Sequence, residues 1–219
     1  MKKKAIIIAN GYKPQKSKIK KIKKFNFNDI ICADGGSNNL IKTGFIPLYI
    51  IGDLDSVEFD TIEYFKLNKT KIIKIEDQEN TDIEKVLDFL INENYLEVIV
   101  FGGTGNRLDH TIGNISVLIK YCEKIKIHLL HYNSVLTCIN KNIKLKTCKN
   151  EVISFYGIYP DTLFKTEGLK YNLDNENLYL GFRESTSNEA NSEVVNISSN
   201  NKFLLIRNFD SACENDYFK

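Results

Sequence analysis

The sequence predicts an α/β domain with a mainly parallel sheet and flanking helices, followed by an all-β, sandwich-like domain. Two observations carry this reading. From Ala5 to about Tyr132, short apolar runs alternate with amphipathic stretches, which is the pattern of successive βα units. After Tyr132 the runs become short and alternating, with turn residues between them and no helical spacing. The division falls near Asn133, giving domains at 1–132 and 133–219.

In the first domain, strands are expected at 5–9, 30–33, 49–52, 71–75, 98–101 and 125–130, most of them apolar and β-branched on successive residues, as strands covered on both faces are. A helix is expected from Asp82 to about Asn92, because Ile83, Val86, Leu87, Leu90 and Ile91 repeat at helical spacing. Thr81 and Glu84, three residues apart, make a capping box at its start. A second helix is expected from about His110 to Tyr121, with Ile112, Ile115, Leu118, Ile119 and Cys122 on one face. In the second domain, strands are expected at 135–139, 143–147, 152–156, 178–181, 193–197 and 203–208.

Composition narrows the function classes. Lys+Arg and Asp+Glu are 30 and 28, and the net charge of +2 supplies no overall attraction to nucleic acid. The lysine-rich segment 13–24, with Ile19 and Ile22 at helical spacing, reads as a solvated helix face. No apolar stretch reaches the roughly 20 residues that span a bilayer. The first residues are charged and then apolar, but the run is short and lacks a cleavage context, so it reads as a buried strand. Five scattered cysteines form no CxxC pair and fit a reducing cytoplasm better than a disulfide framework.

Ligands of open parallel sheets bind beyond the carboxyl ends of the strands. Here those ends read Asp34-Gly35-Gly36, Gly52-Asp53-Leu54-Asp55-Ser56, Glu76 through Asp77 to Asp82, and Gly102-Gly103-Thr104-Gly105-Asn106-Arg107-Leu108-Asp109-His110. Carboxylates gathered on one edge repel unless a cation is present, and oxygen ligands without histidine or cysteine point to Mg²⁺. The glycines at 102, 103 and 105 would let backbone N–H groups approach phosphate, and Arg107 adds a planar fork. Singly, these residues have plain alternatives: a strand-to-helix turn for the glycine loop, helix starts for Asp77 and Asp82, turns for Asp53 and Asp55. His110 suits a capping or phosphate-facing place, whereas His128 and His131 read as strand residues.

Taken in order, these segments resemble the thiamine pyrophosphokinases of bacteria. The resemblance rests on Ala33-Asp34-Gly35-Gly36, Gly52 through Val57, Asp77 and Asn80-Thr81-Asp82-Ile83-Glu84, and Gly102 through His110. Thr166 through Tyr171 and Ser187-Asn188-Glu189 extend it through the second domain. It implies a transfer of pyrophosphate from ATP to the hydroxyl of thiamine, an α/β catalytic domain, a β-sandwich-like thiamine-binding domain, and a homodimer with active sites between subunits. By residue, it implies Asp53, Asp55 and Asp82 as Mg²⁺ and phosphate-site carboxylates with Asp77 nearby, and Arg107 with Asp109 as the pair handling ATP phosphates. Asp34 lies at the same edge. Ser187 and Asn188 are implied as thiamine contacts. Leu54 and Ala190 stand where the family often has an aromatic residue.

Overall fold

The structure is a computed structural model and describes residues 3–219. The chain divides into two compact units, residues 1–131 and 132–219.

Unit 1 runs β1 (Lys3–Ile8), α1 (Lys16–Lys23), β2 (Phe27–Ala33), α2 (Gly36–Leu40), β3 (Tyr49–Gly52), α3 (Phe59–Leu67) and β4 (Lys71–Lys74). It continues with α4 (Asp82–Asn92), β5 (Tyr95–Phe101), α5 (Leu108–Tyr121) and β6 (Lys126–His131). These six strands lie in the order β6-β5-β1-β2-β3-β4, and every pair among them is parallel. The chain starts in the middle, at β1, builds outward through β2, β3 and β4, and then returns to the other side of β1 with β5. The order therefore reverses between β1 and β5, which opens a crevice at their carboxyl ends. Buried β-branched runs explain the strands: Ile6, Ile7, Ile8, Ile31, Ile50, Ile51, Val98, Ile99 and Val100 are all withdrawn from solvent.

At the opposite, amino ends of β1, β5 and β6 sits a buried charge cluster. Glu97 accepts from Lys4 Nζ at 2.8 Å and Lys126 Nζ at 3.2 Å, and its Oε1 lies 2.9 Å from His128 Nε2. Burial holds the His128 imidazole neutral and pulls its pKa from 6.5 down to about 4, with the Lys126 charge adding to the effect. Burial opposes ionisation of Glu97, but the His128 hydrogen bond and the neighbouring lysines outweigh it, so its carboxyl stays well below the usual range.

Unit 2 contains β7 (Ser134–Lys146), β8 (Val152–Gly157), β9 (Leu163–Glu167), β10 (Asp174–Asn177), β11 (Ser185–Glu189), β12 (Val194–Asn208) and α6 (Phe209–Glu214). β12 organises it. One edge pairs antiparallel with β7; the other pairs with β9 through Asn196–Ser199 and then with β8 through Phe203–Arg207. A register shift between Ser198 and Lys202 separates the two stretches and bends the strand. β8 continues to β11, and β9 to β10. The core is aromatic: the rings of Phe155, Phe164 and Phe203 lie 5.0, 5.3 and 6.4 Å apart. Beside it, buried Arg207 makes a bidentate pair with buried Glu151, at 2.8 and 3.0 Å.

Several expectations need correction. The 178–181 segment is a turn, bonded from Leu178 N to Thr162 O and from Leu180 N to Gly157 O, with Gly181 at φ 85°. The pairs 135–139 with 143–147, and 193–197 with 203–208, are each a single long strand. Unit 2 also has a helix, α6, which starts where the Asn208 side chain accepts from the N–H groups of Asp210 and Ser211. On α5, Ile112 faces solvent at 57% exposure; Val117, Leu118 and Tyr121 are the buried positions.

Stability falls in acid. The unfolded chain takes up a proton on His128 near pH 6.5, the folded chain only near 4, and ionised Glu97 adds a loss at still lower pH. The full chain is therefore expected to be about 2 kcal/mol less stable at about pH 5 than at about pH 7.5. Urea unfolding at the two values checks this, and a His128→Asn variant with an unchanged pH slope would count against the cluster.

Candidate active site

The carboxyl ends of the unit 1 strands border a cleft of about 670 Å³ whose lining includes Asn10, Tyr12, Asp34, Asp82, Arg107 and Asn114. Two loops form its floor, one after β1 and one after β5, and they meet backbone to backbone. Gly11 N donates to Gly102 O and Tyr12 N to Thr104 O, both at 2.7 Å. A side chain at position 11 would strike the Thr104 carbonyl, which is why glycine stands there.

Three carboxylates converge beside the cleft. Asp34, Asp53 and Asp55 each present an oxygen so that all three oxygens lie within 4.8 Å of one another. The backbone is bent to achieve this: Asp34 and Leu54 have φ of 42° and 70°, in the left-handed region that a branched residue such as leucine rarely adopts. At Gly52, an added Cβ would come within 2.7 Å of the Asp34 Cβ, so glycine lets the two strand ends approach. Asp34 is 3% exposed; its Oδ2 accepts from Ser56 N at 3.3 Å, while its buried Oδ1 has no hydrogen-bond partner among the described residues. Asp53 Oδ1 accepts from Asp55 N at 3.3 Å, and this backbone hydrogen bond chiefly keeps its carboxyl below the ordinary value. Asp55 Oδ1 accepts from Ser56 Oγ at 2.9 Å.

Asp82 opens α4, whose start is fixed as expected. Glu84 N donates to Thr81 Oγ1 at 3.4 Å, and Thr81 N donates to Glu84 Oε2 at 3.0 Å. Asp82 does not join the three converging oxygens. It faces Asp53 across Lys85, whose Nζ lies 3.1 Å from Asp82 Oδ1 and 3.3 Å from Asp53 Oδ2. The Lys85 side chain is 3% exposed. Burial raises the Asp82 pKa despite the Lys85 ammonium. For Lys85, burial favours the neutral amine, but the bonds and charges of Asp82 and Asp53 together outweigh it and leave its pKa raised.

The other expected residues are spread around this centre. Asp77 shapes its own loop, accepting from Glu79 N at 2.8 Å and Asn80 Nδ2 at 2.6 Å. Arg107 and Asp109 pair at the rim, with NH2 to Oδ2 at 2.6 Å, both well exposed, and His110 Nε2 is 4.0 Å from the same oxygen. Gly102, Gly103 and Thr104 line the cleft; Asn114 Nδ2 donates to Gly103 O at 2.6 Å, and Thr104 Oγ1 lies 2.9 Å from His131 Nδ1. In unit 2, Ser187 is exposed with φ 56°. Asn188 is buried and its amide is occupied: Oδ1 accepts from Tyr171 N and Glu189 N, and Nδ2 donates to Tyr171 O and Ser185 Oγ. Lys85 was absent from the expected residues; the signal available was a lysine one turn after Asp82, three residues on along the same helix face.

The donor set suits a hard divalent cation. Among the described residues it offers carboxylate oxygens with no histidine or cysteine, and one buried oxygen, Asp34 Oδ1, that has no hydrogen-bond partner.

Comparison with known proteins adds sequence and fold relatives. Residues 22–129 match the family described as thiamin pyrophosphokinase, catalytic domain, and residues 139–204 match thiamin pyrophosphokinase, vitamin B1 binding domain. The chain is 30% identical to thiamine pyrophosphokinase 3 of Oryza sativa subsp. japonica over 209 residues, covering 80% of this chain and 76% of that protein. It is also 30% identical to a Bacillus subtilis thiamine pyrophosphokinase over 164 residues, covering 73% and 77% respectively. A crystal structure of the Bacillus subtilis thiamine pyrophosphokinase superposes with a TM-score of 0.81 at 25% identity, covering 95% of this chain and all of that one.

A buried carboxylate with one oxygen unsatisfied, set beside two other carboxylates, costs stability in the absence of cations. Asp34→Asn removes the charge and suits the left-handed backbone, so in chelator it is expected to melt roughly 3 °C above the parent chain. Differential scanning fluorimetry reads this; an equal or lower melting temperature would show that the Asp34 charge carries no such cost.

Proposed function

We propose, for a chain that belongs to the thiamine pyrophosphokinase family and makes thiamine pyrophosphate from thiamine, that the cleft of unit 1 holds ATP with Mg²⁺ for that transfer. The observation that carries the placement is the convergence of Asp34, Asp53 and Asp55 beside the glycine loop. Asp34, Asp53 and Asp55 would hold the Mg²⁺, which when bound neutralises phosphate charge and draws the phosphate oxygens into one orientation.

The chain's own groups account for the rest. Backbone N–H groups of the loop 102–105 and the start of α5 cradle phosphate oxygens, and Arg107 offers its fork at the rim. Asp109 holds that guanidinium in place until phosphate arrives. Gly113, in mid-helix, leaves its side of the cleft open, since a Cβ there would meet nothing within 4 Å. The thiamine hydroxyl attacks the β-phosphorus and AMP leaves; alignment and charge neutralisation dominate such a transfer. Asp82, with its pKa raised by burial, is better suited than Asp53 to accept the hydroxyl proton late in the transfer. Asp77 supports the site by shaping the loop that leads into α4.

Unit 2 would supply the thiamine contacts, with exposed Ser187 offering its hydroxyl and Asn188 fixing the adjoining Tyr171 backbone. A homodimer is supported by apolar side chains that water would otherwise cover, Leu108 and Ile112 on α5 at 71% and 57% exposure, and Tyr171 and Phe182 in unit 2. Five free thiols suit a reducing cytoplasm, and no helix among the described residues is long and apolar enough to cross a membrane.

Product analysis tests the reading. The chain with Mg-ATP is expected to give AMP and thiamine pyrophosphate in equal amounts, only when thiamine is present, with an Asp82→Asn variant at least ~100-fold slower. ADP as product, or AMP without thiamine, would overturn the assignment of cleft and bond. Undiminished turnover in Asp82→Asn would remove Asp82 from proton transfer.

A further inference from the structure

We propose that Lys85 is a built-in counter-cation. It holds Asp53 and Asp82 together when no divalent cation is bound, and it competes with that cation for Asp53. The proposal rests on the reading above, which puts the divalent cation at Asp34, Asp53 and Asp55.

Lys85 occupies an unusual place for a lysine. It lies off the apolar face of α4 formed by Ile83, Val86, Leu87 and Leu90, yet its side chain is about as enclosed as those core positions. A buried ammonium persists only where acceptors offset its desolvation. It has two, and they come from different segments: Asp53 after β3 and Asp82 at the start of α4. The ammonium therefore ties two strand-end loops together across the carboxylate edge. Four carboxylates, Asp34, Asp53, Asp55 and Asp82, crowd that edge, and without a cation their repulsion would push the loops apart. Lys74 also feels Asp53, but it pairs with Glu76 at 2.6 Å and is more than half exposed, so water screens it.

Asp53 is consequently claimed twice, by Lys85 and by any cation at the three-carboxylate cluster. Two positive charges sharing one carboxylate in a partly buried site oppose each other's binding. Lys85 thus stabilises the cation-free fold and weakens cation binding through the same contact. It acts on the cation through Asp53, as a positioning residue.

The test uses the full chain and MgCl₂ alone, without nucleotide, comparing the parent with Lys85→Met and Lys85→Arg. In EDTA, Lys85→Met is expected to melt about 5 °C below the parent, with saturating MgCl₂ closing most of that gap. Calorimetric titration is expected to show Mg²⁺ binding Lys85→Met about tenfold more tightly, with Lys85→Arg within about twofold of the parent. A purely structural lysine would lower the melting temperature without tightening Mg²⁺, and that result overturns the proposal. So does a Lys85→Met chain that stays unfolded in saturating MgCl₂, whereas one that folds only with Mg²⁺ supports it. Equal Mg²⁺ affinity in parent and Lys85→Met sinks the role of Lys85 alone. If no chain binds Mg²⁺, the placement of the cation falls with it.

Discussion

Carboxylates gathered on one edge of a sheet repel each other, and their repulsion is the constraint around which unit 1 is organised. The parallel order, with its reversal between β1 and β5, brings four loop ends to the same side. Asp34 and Leu54 take left-handed backbone, Gly52 has no side chain to hold the strand ends apart, and Asp34 Oδ1 is buried without a hydrogen-bond partner among the described residues. Each of these is locally unfavourable. Lys85, the capped start of α4 and the hydrogen bonds from Ser56 and Asp55 N–H groups offset them. On the function proposed above, this strain and charge serve a cation and phosphates rather than the stability of the chain alone.

Much of this was legible in the sequence because parallel sheets leave two strong marks. Strands buried on both faces read as unbroken apolar runs, and the residues after them read as ligands. The start of α4 was legible to the residue because Thr81 and Glu84 satisfy each other locally. What escaped depends on distance along the chain. Asp53 is 32 residues from Lys85, and Asp34 is 22 from its donor Ser56, so no local pattern says that Asp34, rather than Asp82, joins Asp53 and Asp55. The helix α3 escaped because Phe59 and Leu67 are 75% and 84% exposed, and Thr61 and Phe65 alone face inward. The strands β10 and β11 escaped because they are polar, Asp174 to Asn177 and Ser185 to Glu189, and are held by pairing rather than by an apolar face.

Unit 2 rests on different physics. Its order comes from an aromatic core and from β12, which changes partner at its bend. The Arg207–Glu151 pair is fully desolvated, so removing either partner alone would strand a buried charge at a cost of roughly 3–5 kcal/mol. Asn188, expected as a ligand residue, has both ends of its amide bound to backbone or a neighbouring hydroxyl, and it thereby sets the position of Tyr171. Ser187 beside it stays exposed.

The most direct test of the central claim is anomalous diffraction at the manganese edge, from crystals of the full chain grown with MnCl₂ and a non-hydrolysable ATP analogue. The account predicts a peak bonded to Asp34, Asp53 and Asp55, next to the phosphates. A peak bonded elsewhere, or no peak there with the nucleotide in place, would contradict it.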